Sequence, residues 1–184
     1  MTQSSGAENI RLYRETVEWT GSIIEKIKSD QLNNPTPCTE WDVQQLLNHM
    51  VGATAMYIAT ISGTEVNRPT EDVGKGDFVD GARKVLELAE VPGATERIVT
   101  TRRGDLPVRE FLENSFVDAL AHGWDLAIAT DQDPTIPEHL AQACYDRWLP
   151  KVENFRGRAF GPEVSVAENA SIQSKLLAIL GRQG

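Results

Sequence analysis

The sequence predicts an all-α protein: a four-helix bundle with a short β-hairpin insertion and an irregular C-terminal tail that ends in a short helix. Three observations support this fold class. Apolar residues recur about every 3.6 positions in several segments, which is the period of an amphipathic helix. Proline, glycine and capping residues bound those segments. One stretch, residues 95–108, instead has the pattern of two short strands around a glycine-containing turn.

The first two predicted helices are separated by a short polar segment that contains two prolines. The first helix runs from Ile10 to Ile27. The second begins after Asp42, whose carboxylate can cap it while Gln45 reaches back to complete a capping box, and it continues to about Ile61. Residues 63–76 have no helical period and are rich in turn-forming residues, so we expect a loop there.

The later elements follow the same signals. A Pro-Gly pair ends the third helix, Pro107 can open the fourth, and Pro137 can open the fifth, which Pro150 kinks or ends. Gly181 closes the last short helix. The predicted ranges are 77–91 for the third helix, 95–108 for the hairpin, about 107–130 for the fourth helix, 138 to about 154 for the fifth and about 172–180 for the last.

Length and charge narrow the class of protein. A chain of 184 residues can build one sizeable core, and we expect a single domain over residues 1–184. The net charge of -9 disfavours nucleic-acid binding, and basic residues cluster only in the small pairs Arg102, Arg103 and Arg156, Arg158. No apolar run approaches the roughly 20 residues of a membrane span, and the N-terminus lacks signal-peptide features. We therefore expect a soluble, cytoplasmic protein.

The two cysteines, Cys38 and Cys144, lack the Cys-x-x-Cys spacing of a zinc or redox motif. Cys144 lies in the apolar pattern of the fifth helix, where we expect it to pack in the core. Cys38 precedes the start of the second helix, where a thiolate can be stabilised, so a reactive role and a packing role both stay open for it.

The fourth predicted helix carries an aspartate and a histidine one turn apart. Asp118 and His122 are related by an i to i+4 step, which rotates by about 40° and rises by about 6 Å, so both side chains leave the same face. On a largely apolar helix both groups need polar partners, and a shared divalent cation is one such partner. Of the three histidines in the chain, His49 on the second helix is the candidate for a third ligand. The alternatives are a hydrogen bond between Asp118 and His122, and a hydrogen-bonded His49 at the edge of the core.

Two imidazoles and one carboxylate form a three-ligand set that leaves a coordination position open. This set suits Zn(II) and equally Ni(II) or Fe(II). A closed structural zinc site normally has a fourth protein ligand, and neither cysteine has motif spacing to a histidine. Asp125, three residues after His122, either accepts the second ring N–H of that histidine or pairs with an arginine on a neighbouring helix. Trp41 and Trp124 are expected to be packing residues.

Several motifs together resemble a known family. The resemblance is to the DinB/YfiT-like metal-binding family, in particular its branch related to the N-terminal domain of mycothiol-dependent maleylpyruvate isomerase, and it covers nearly the whole chain. Its motifs are Asn48-His49-Met-Val-Gly, Asp118-x-x-x-His122-Gly-Trp-Asp-Leu-Ala, the approach Thr36-Pro-Cys-x-x-Trp41, and the tail segments Phe160-Gly-Pro and Leu176-Leu-Ala-Ile-Leu-Gly-Arg182.

The resemblance implies a four-helix bundle in which a histidine of the second helix and an acid-x-x-x-His pair of a later helix hold a divalent metal. In this chain these residues are His49, Asp118 and His122. For some relatives the resemblance also implies a low-molecular-weight thiol, mycothiol or a similar compound, whose sulfur binds the metal and becomes an activated thiolate.

We therefore expect a metal-dependent, thiol-assisted transferase or isomerase that acts on a small molecule, with zinc as the first choice of metal and nickel or iron as others. The alternative is a metal-binding sensor or scaffold without catalysis. A homodimer is compatible with either function.

Two departures accompany the resemblance. The helix-four carboxylate is Asp118, one methylene shorter than the glutamate expected in the isomerase branch, and this difference can alter metal choice or affinity. The isomerase is also expected to carry an additional C-terminal domain, whereas this chain continues into a short tail.

Overall fold

The computed structural model describes residues 5–101, 104–157 and 159–184. In these ranges the protein is mostly helical and contains a two-stranded antiparallel sheet, which confirms the predicted fold class. Arg102, Arg103 and Arg158, which belong to the two basic pairs noted in the sequence, lie outside the described residues. None of the helices in the described ranges combines the length and the apolar character that crossing a membrane requires.

The helices and strands follow the predicted order closely. They are α1 (Gly6–Lys26), α2 (Val43–Ser62), α3 (Asp77–Ala89), β1 (Ile98–Thr101), β2 (Gly104–Pro107), α4 (Val108–Ala129), α5 (Glu138–Trp148) and α6 (Ile172–Ile179). Short 3-10 turns cover Ser29–Gln31, Ala94–Glu96 and Val152–Phe155.

Polar caps set where the first two helices begin. α1 starts before Ile10 because Ser5 Oγ accepts a hydrogen bond of 3.2 Å from the Glu8 N–H. The capping box predicted for α2 is present. Asp42 Oδ1 accepts from the Gln45 N–H at 2.8 Å, and Gln45 Oε1 accepts from the Asp42 N–H at 3.0 Å.

The fifth helix is shorter than the sequence predicted. It ends at Trp148 rather than near Asn154. Pro150 has no N–H with which to continue the helical series of hydrogen bonds, and the chain proceeds instead into the 3-10 turn Val152–Phe155.

The described chain falls into two compact units, Met1–Gln132 and Asp133–Gly184. The first contains α1 to α4 and the hairpin, and the second contains α5 and α6. The single-domain organisation over residues 1–184 stays a prediction.

The first unit is organised around α4. Most of its residues from Val108 to Ala127 are buried, on every side of the helix. A helix that is covered on all sides belongs in the interior of a bundle. α1 and α2 pack against α4, and α3 packs against α1 and α2. α4 therefore lies where side chains from neighbouring helices converge.

α1 and α4 approach each other closely at Gly123. A Cβ atom at this position would lie 2.6 Å from Thr20 Oγ1 and 2.7 Å from Trp19 Cζ3, too close for any real contact. The Thr20 hydroxyl also donates a hydrogen bond of 3.1 Å to the Ala119 carbonyl of α4. The missing side chain at Gly123 thus lets the two helices come within direct hydrogen-bonding reach.

The hairpin leads directly into α4. Ile98 pairs with Pro107 and Thr101 with Gly104. The guanidinium of Arg97 donates to the Ile61 carbonyl near the end of α2, so the start of the hairpin is tied to that helix. This anchoring helps to determine where α4 begins relative to α2.

The second unit is built around Trp148. Its ring makes an edge contact with Phe155 at a centroid distance of 5.0 Å. The Ile136 N–H donates to Gln173 Oε1 at 2.8 Å, which ties the segment before α5 to α6. Cys144 is fully buried, as its apolar surroundings in the sequence predicted, and burial raises the pKa of its thiol.

We expect Gly123→Ala and Gly52→Ala to change stability in opposite directions. Alanine at position 123 forces α1 and α4 apart and should lower the free energy of unfolding by about 1–3 kcal/mol. At position 52 the nearest atom to a new Cβ is Arg68 Nη1 at 3.9 Å. Alanine there should stabilise α2 by about 0.5–1 kcal/mol through its helix propensity. Urea unfolding followed by circular dichroism measures both effects, and equal effects would contradict the close approach at Gly123.

Candidate metal centre

Three side chains predicted as metal ligands come together between α2 and α4. His49 lies on α2, and Asp118 and His122 lie on successive turns of α4. Asp118 Oδ1 is 3.7 Å from His49 Nε2 and 3.6 Å from His122 Nε2. One ligand atom from each residue lies within 4.8 Å of the other two. The packing of α2 on α4 thus joins residues that are distant in the sequence.

The separations between these atoms suit a shared cation better than direct hydrogen bonds. At 3.6 Å, the distance from Asp118 Oδ1 to His122 Nε2 exceeds that of a hydrogen bond. Ligands held about 2.0–2.1 Å from one tetrahedral ion lie about 3.3–3.4 Å from each other. The observed distances are slightly longer than this, so small side-chain adjustments would bring the donor set to a common ion.

Asp125 contacts the other nitrogen of His122. Its Oδ2 lies 3.0 Å from His122 Nδ1, and the carboxylate has no exposed surface. A proton on Nδ1 that is donated to Asp125 leaves the Nε2 lone pair available on the side of Asp118 and His49. This tautomer is assigned from the hydrogen bond. This contact matches the first of the two roles predicted for Asp125, that of hydrogen-bond partner to His122.

The cluster is buried on one side and open on the other. The His122 side chain is 10% exposed, whereas those of Asp118 and His49 are 28% and 34% exposed. The cluster is therefore more exposed to solvent at Asp118 and His49 than at His122. The buried side of His122, held by Asp125, gives the cluster a rigid base.

Tyr13 on α1 is electrostatically coupled to Asp118. Its side chain is almost completely buried. Burial raises the pKa of the Tyr13 phenol far above its usual value, and the negative charge of Asp118 raises it further. The Tyr13 phenol is therefore neutral and within electrostatic reach of Asp118. Its position in the apolar stripe of the first helix gave no indication of this interaction.

The segment before α2 brings two more side chains to the histidines. The Trp41 ring stacks on His49 with a centroid distance of 4.3 Å and an interplanar angle of 26°. Its centroid is 5.9 Å from that of His122. Cys38 offers a sulfur within 4.8 Å of ligand atoms of His122 and Asp125. Cys38 and Trp41 both belong to the Thr36-Pro-Cys-x-x-Trp41 motif, but their spacing in the sequence did not predict that they lie near the cluster.

Residues 14–95 match the family model described as the mycothiol maleylpyruvate isomerase N-terminal domain. The matched segment contains α2 with His49 and ends before the hairpin and α4. Over this segment the match confirms the resemblance to that domain which the motifs indicated.

The chain is also similar to individual proteins over most of its length. The uncharacterized proteins MT0763 and Rv0738, from two strains of Mycobacterium tuberculosis, are each 29% identical over 170 residues, 88% of this chain and 90% of theirs. The crystal structure of the mycothiol-dependent maleylpyruvate isomerase has the same fold, with a TM-score of 0.62 and 14% identity over 99% of this chain and 92% of that chain.

We expect the free energy of unfolding to fall as the pH rises above about 10, in part because of Tyr13. Its phenol keeps its proton in the folded protein and loses it in the unfolded chain above its ordinary pKa, so the unfolded state binds fewer protons there. One such group contributes up to about 1.4 kcal/mol per pH unit. Tyr13→Phe should make the fall shallower by up to this amount, as measured by urea unfolding at a series of pH values.

The comparison has an internal control. Below about pH 9, where phenols are protonated in both states, the variant and the wild type should show the same pH dependence. Cys144 is present in both proteins and cancels between them. Equal slopes above about pH 10 would contradict the account of Tyr13 as a buried neutral phenol.

Proposed function

We propose that this chain, whose residues 14–95 match the mycothiol maleylpyruvate isomerase N-terminal domain, is a divalent-metal-binding, thiol-assisted transferase or isomerase that acts on a small molecule. The observation that carries the proposal is the convergence of His49, Asp118 and His122, with one ligand atom of each within 4.8 Å of the others. Two imidazoles and a carboxylate that converge from two helices at a partly exposed position are residue types that bind divalent metals.

The donor set supports a particular class of metal. Two imidazoles and one carboxylate suit Zn(II), and Ni(II) or Fe(II) accept the same ligands. His49, Asp118 and His122 would hold the ion and leave at least one coordination position open. Asp118 Oδ1 lies at similar distances from His49 Nε2 and His122 Nε2. Although aspartate is one methylene shorter than glutamate, its carboxylate would therefore bind the same ion as both imidazoles.

A bound divalent ion with an open position supplies a Lewis acid that lowers the pKa of a thiol and favours its thiolate at neutral pH. The residues of the chain have separate tasks. Asp125 holds the proton at His122 Nδ1 and keeps that ring in one orientation. Trp41 covers one face of His49. The exposed edges of His49 and Asp118 leave a path by which a thiol and a substrate enter.

Mycothiol is the thiol that the proposal favours, because the matched family model is described by that compound. Maleylpyruvate is the first substrate to test for the same reason. A second function, a metal-binding sensor or scaffold without turnover, uses the same ligands. It differs from the enzyme in its lack of turnover with any thiol.

We expect purified protein to hold about one divalent ion per chain. His49→Ala and His122→Ala should each lose it, because each removes one of three protein ligands. Elemental mass spectrometry on untagged protein measures the metal content, and circular dichroism verifies that each variant is folded.

His139→Ala is the matched control. It removes the third histidine of the chain, which is exposed on α5 and outside the cluster, and should leave the metal content unchanged. Asp125→Asn should retain the ligands but weaken metal affinity by about 10- to 100-fold, since it alters the partner of His122. If wild-type protein stays metal-free after incubation with Zn(II), Ni(II) and Fe(II), the proposal is wrong.

We expect metal-loaded protein to convert maleylpyruvate only when mycothiol is present. The rate should drop to background in His122→Ala and when the S-methyl derivative replaces mycothiol, because that derivative cannot form a thiolate. Following the substrate by ultraviolet absorbance and chromatography measures both. Turnover without any thiol would contradict the thiol-assisted mechanism, and metal binding without turnover would favour the sensor or scaffold.

A further inference from the structure

The two histidines of the proposed metal centre are supported in different ways. Asp125 holds the His122 ring through the 3.0 Å contact at Nδ1. His49 has no equivalent, because no residue in the described ranges forms a hydrogen bond with its side chain, and Asp118 Oδ1 lies too far away at 3.7 Å. Histidines that bind metals usually have a hydrogen-bond partner at the other ring nitrogen, which fixes the orientation of the ring. The orientation of His49 must therefore come from other contacts.

Two aromatic rings contact the His49 ring. The Trp41 indole stacks on one face of it, with a centroid distance of 4.3 Å and an interplanar angle of 26°. The His122 ring meets it edge-on, at a centroid distance of 5.0 Å and an angle of 81°. Stacked and edge-on arrangements are the two favoured geometries of aromatic pairs. Because the imidazole would lose its stack if it rotated about the Cβ–Cγ bond, Trp41 restricts the plane in which His49 Nε2 lies.

A compact turn before α2 holds the backbone of Trp41. The Trp41 N–H donates to the Cys38 carbonyl at 2.9 Å. The Thr36 hydroxyl donates to the Trp41 carbonyl at 2.8 Å. Both backbone polar groups of Trp41 are thus engaged within the turn, and the indole is attached to a fixed point.

Asn34 connects this turn to both helices that carry the predicted ligands. Its side-chain amide donates to the Ala129 carbonyl, at the end of α4, over 2.9 Å. Its own carbonyl accepts from the Val43 N–H, at the start of α2, over 3.1 Å. The segment that carries Trp41 is therefore tied to α2 and to α4, and the indole keeps its place relative to the cluster between them.

We propose that Trp41 is a positioning residue of the metal centre, which by stacking gives His49 the support that Asp125 gives His122. This inference rests on the proposed metal centre. Without the indole all three ligands remain, but the His49 ring populates other orientations. The apparent metal affinity then falls by the fraction of molecules in which the ring can bind the ion.

Trp41→Leu and Trp41→Phe test this role in the full-length protein. Leucine removes the stack, and the affinity for Zn(II), measured by competition with a chromophoric chelator, should fall by at least about 10-fold, as for the loss of other supports of a metal-binding histidine. Phenylalanine retains an aromatic face and should keep the affinity within about threefold of wild type. Urea unfolding of the metal-free variants measures the structural effect of each substitution separately.

Three outcomes would overturn the proposal. A tryptophan with a structural role alone would lower the free energy of unfolding when replaced, yet leave the zinc affinity of the folded protein unchanged. Equal weakening in both variants would show that the stack is not what matters. Either result leaves the metal centre standing. If wild-type protein binds none of Zn(II), Ni(II) and Fe(II), both proposals fall.

Proton NMR of the metal-free wild-type protein gives a readout that needs neither a variant at position 41 nor a metal. Protons above the face of an indole are shielded, so the ring C–H signals of His49 should lie upfield of those of His139, which is exposed on α5. The His49 signals are assigned by their loss in His49→Ala. Equal shifts for the two histidines would show that the stack is absent and would contradict the role of Trp41.

Discussion

The hydrogen bond between Asp125 and His122 is the contact on which the geometry of the cluster depends. A carboxylate without exposed surface is costly to bury unless polar partners compensate for the lost water, and the imidazole is one such partner. Because Nδ1 is committed to this contact, Nε2 is the nitrogen that faces Asp118 and His49. Asp125 has no exposed surface because α4, the central helix of its unit, is covered on all sides at this level.

The helices could be predicted from the sequence because capping residues, prolines and apolar periodicity determine them locally. The capping box of Asp42 and Gln45 places the start of α2 to the residue. The pattern of prolines predicted where the fifth helix could end, but not that the chain would change to a 3-10 turn after Trp148. Helix ends without a strong cap depend on competing local conformations of similar energy, and spacing alone does not resolve these.

The sequence predicted the cluster of His49, Asp118 and His122 only in part. The spacing of Asp118 and His122 follows from helix geometry, whereas the proximity of His49 depends on how α2 lies against α4. That placement depends on tertiary contacts such as the hydrogen bond from Arg97 to the Ile61 carbonyl near the end of α2, which have no periodic signature. Trp41 was expected to pack, and it does, but against a histidine of the cluster. The sequence provided no link between Cys38 and the cluster, because motif spacing describes neighbours in sequence, while this thiol approaches His122 only through the tertiary fold.

The distribution of the ligands over α2 and α4 has a consequence for biosynthesis. A ribosome adds about 5–20 residues per second, so the helix that carries His49 emerges several seconds before the helix that carries Asp118 and His122. During that interval the nascent chain offers a single imidazole, which is too few donors to retain a cation. Any ion that the cluster binds would therefore be acquired after α4 has docked, from the pool that surrounds the finished protein, and supply and affinity rather than the course of folding would decide its identity.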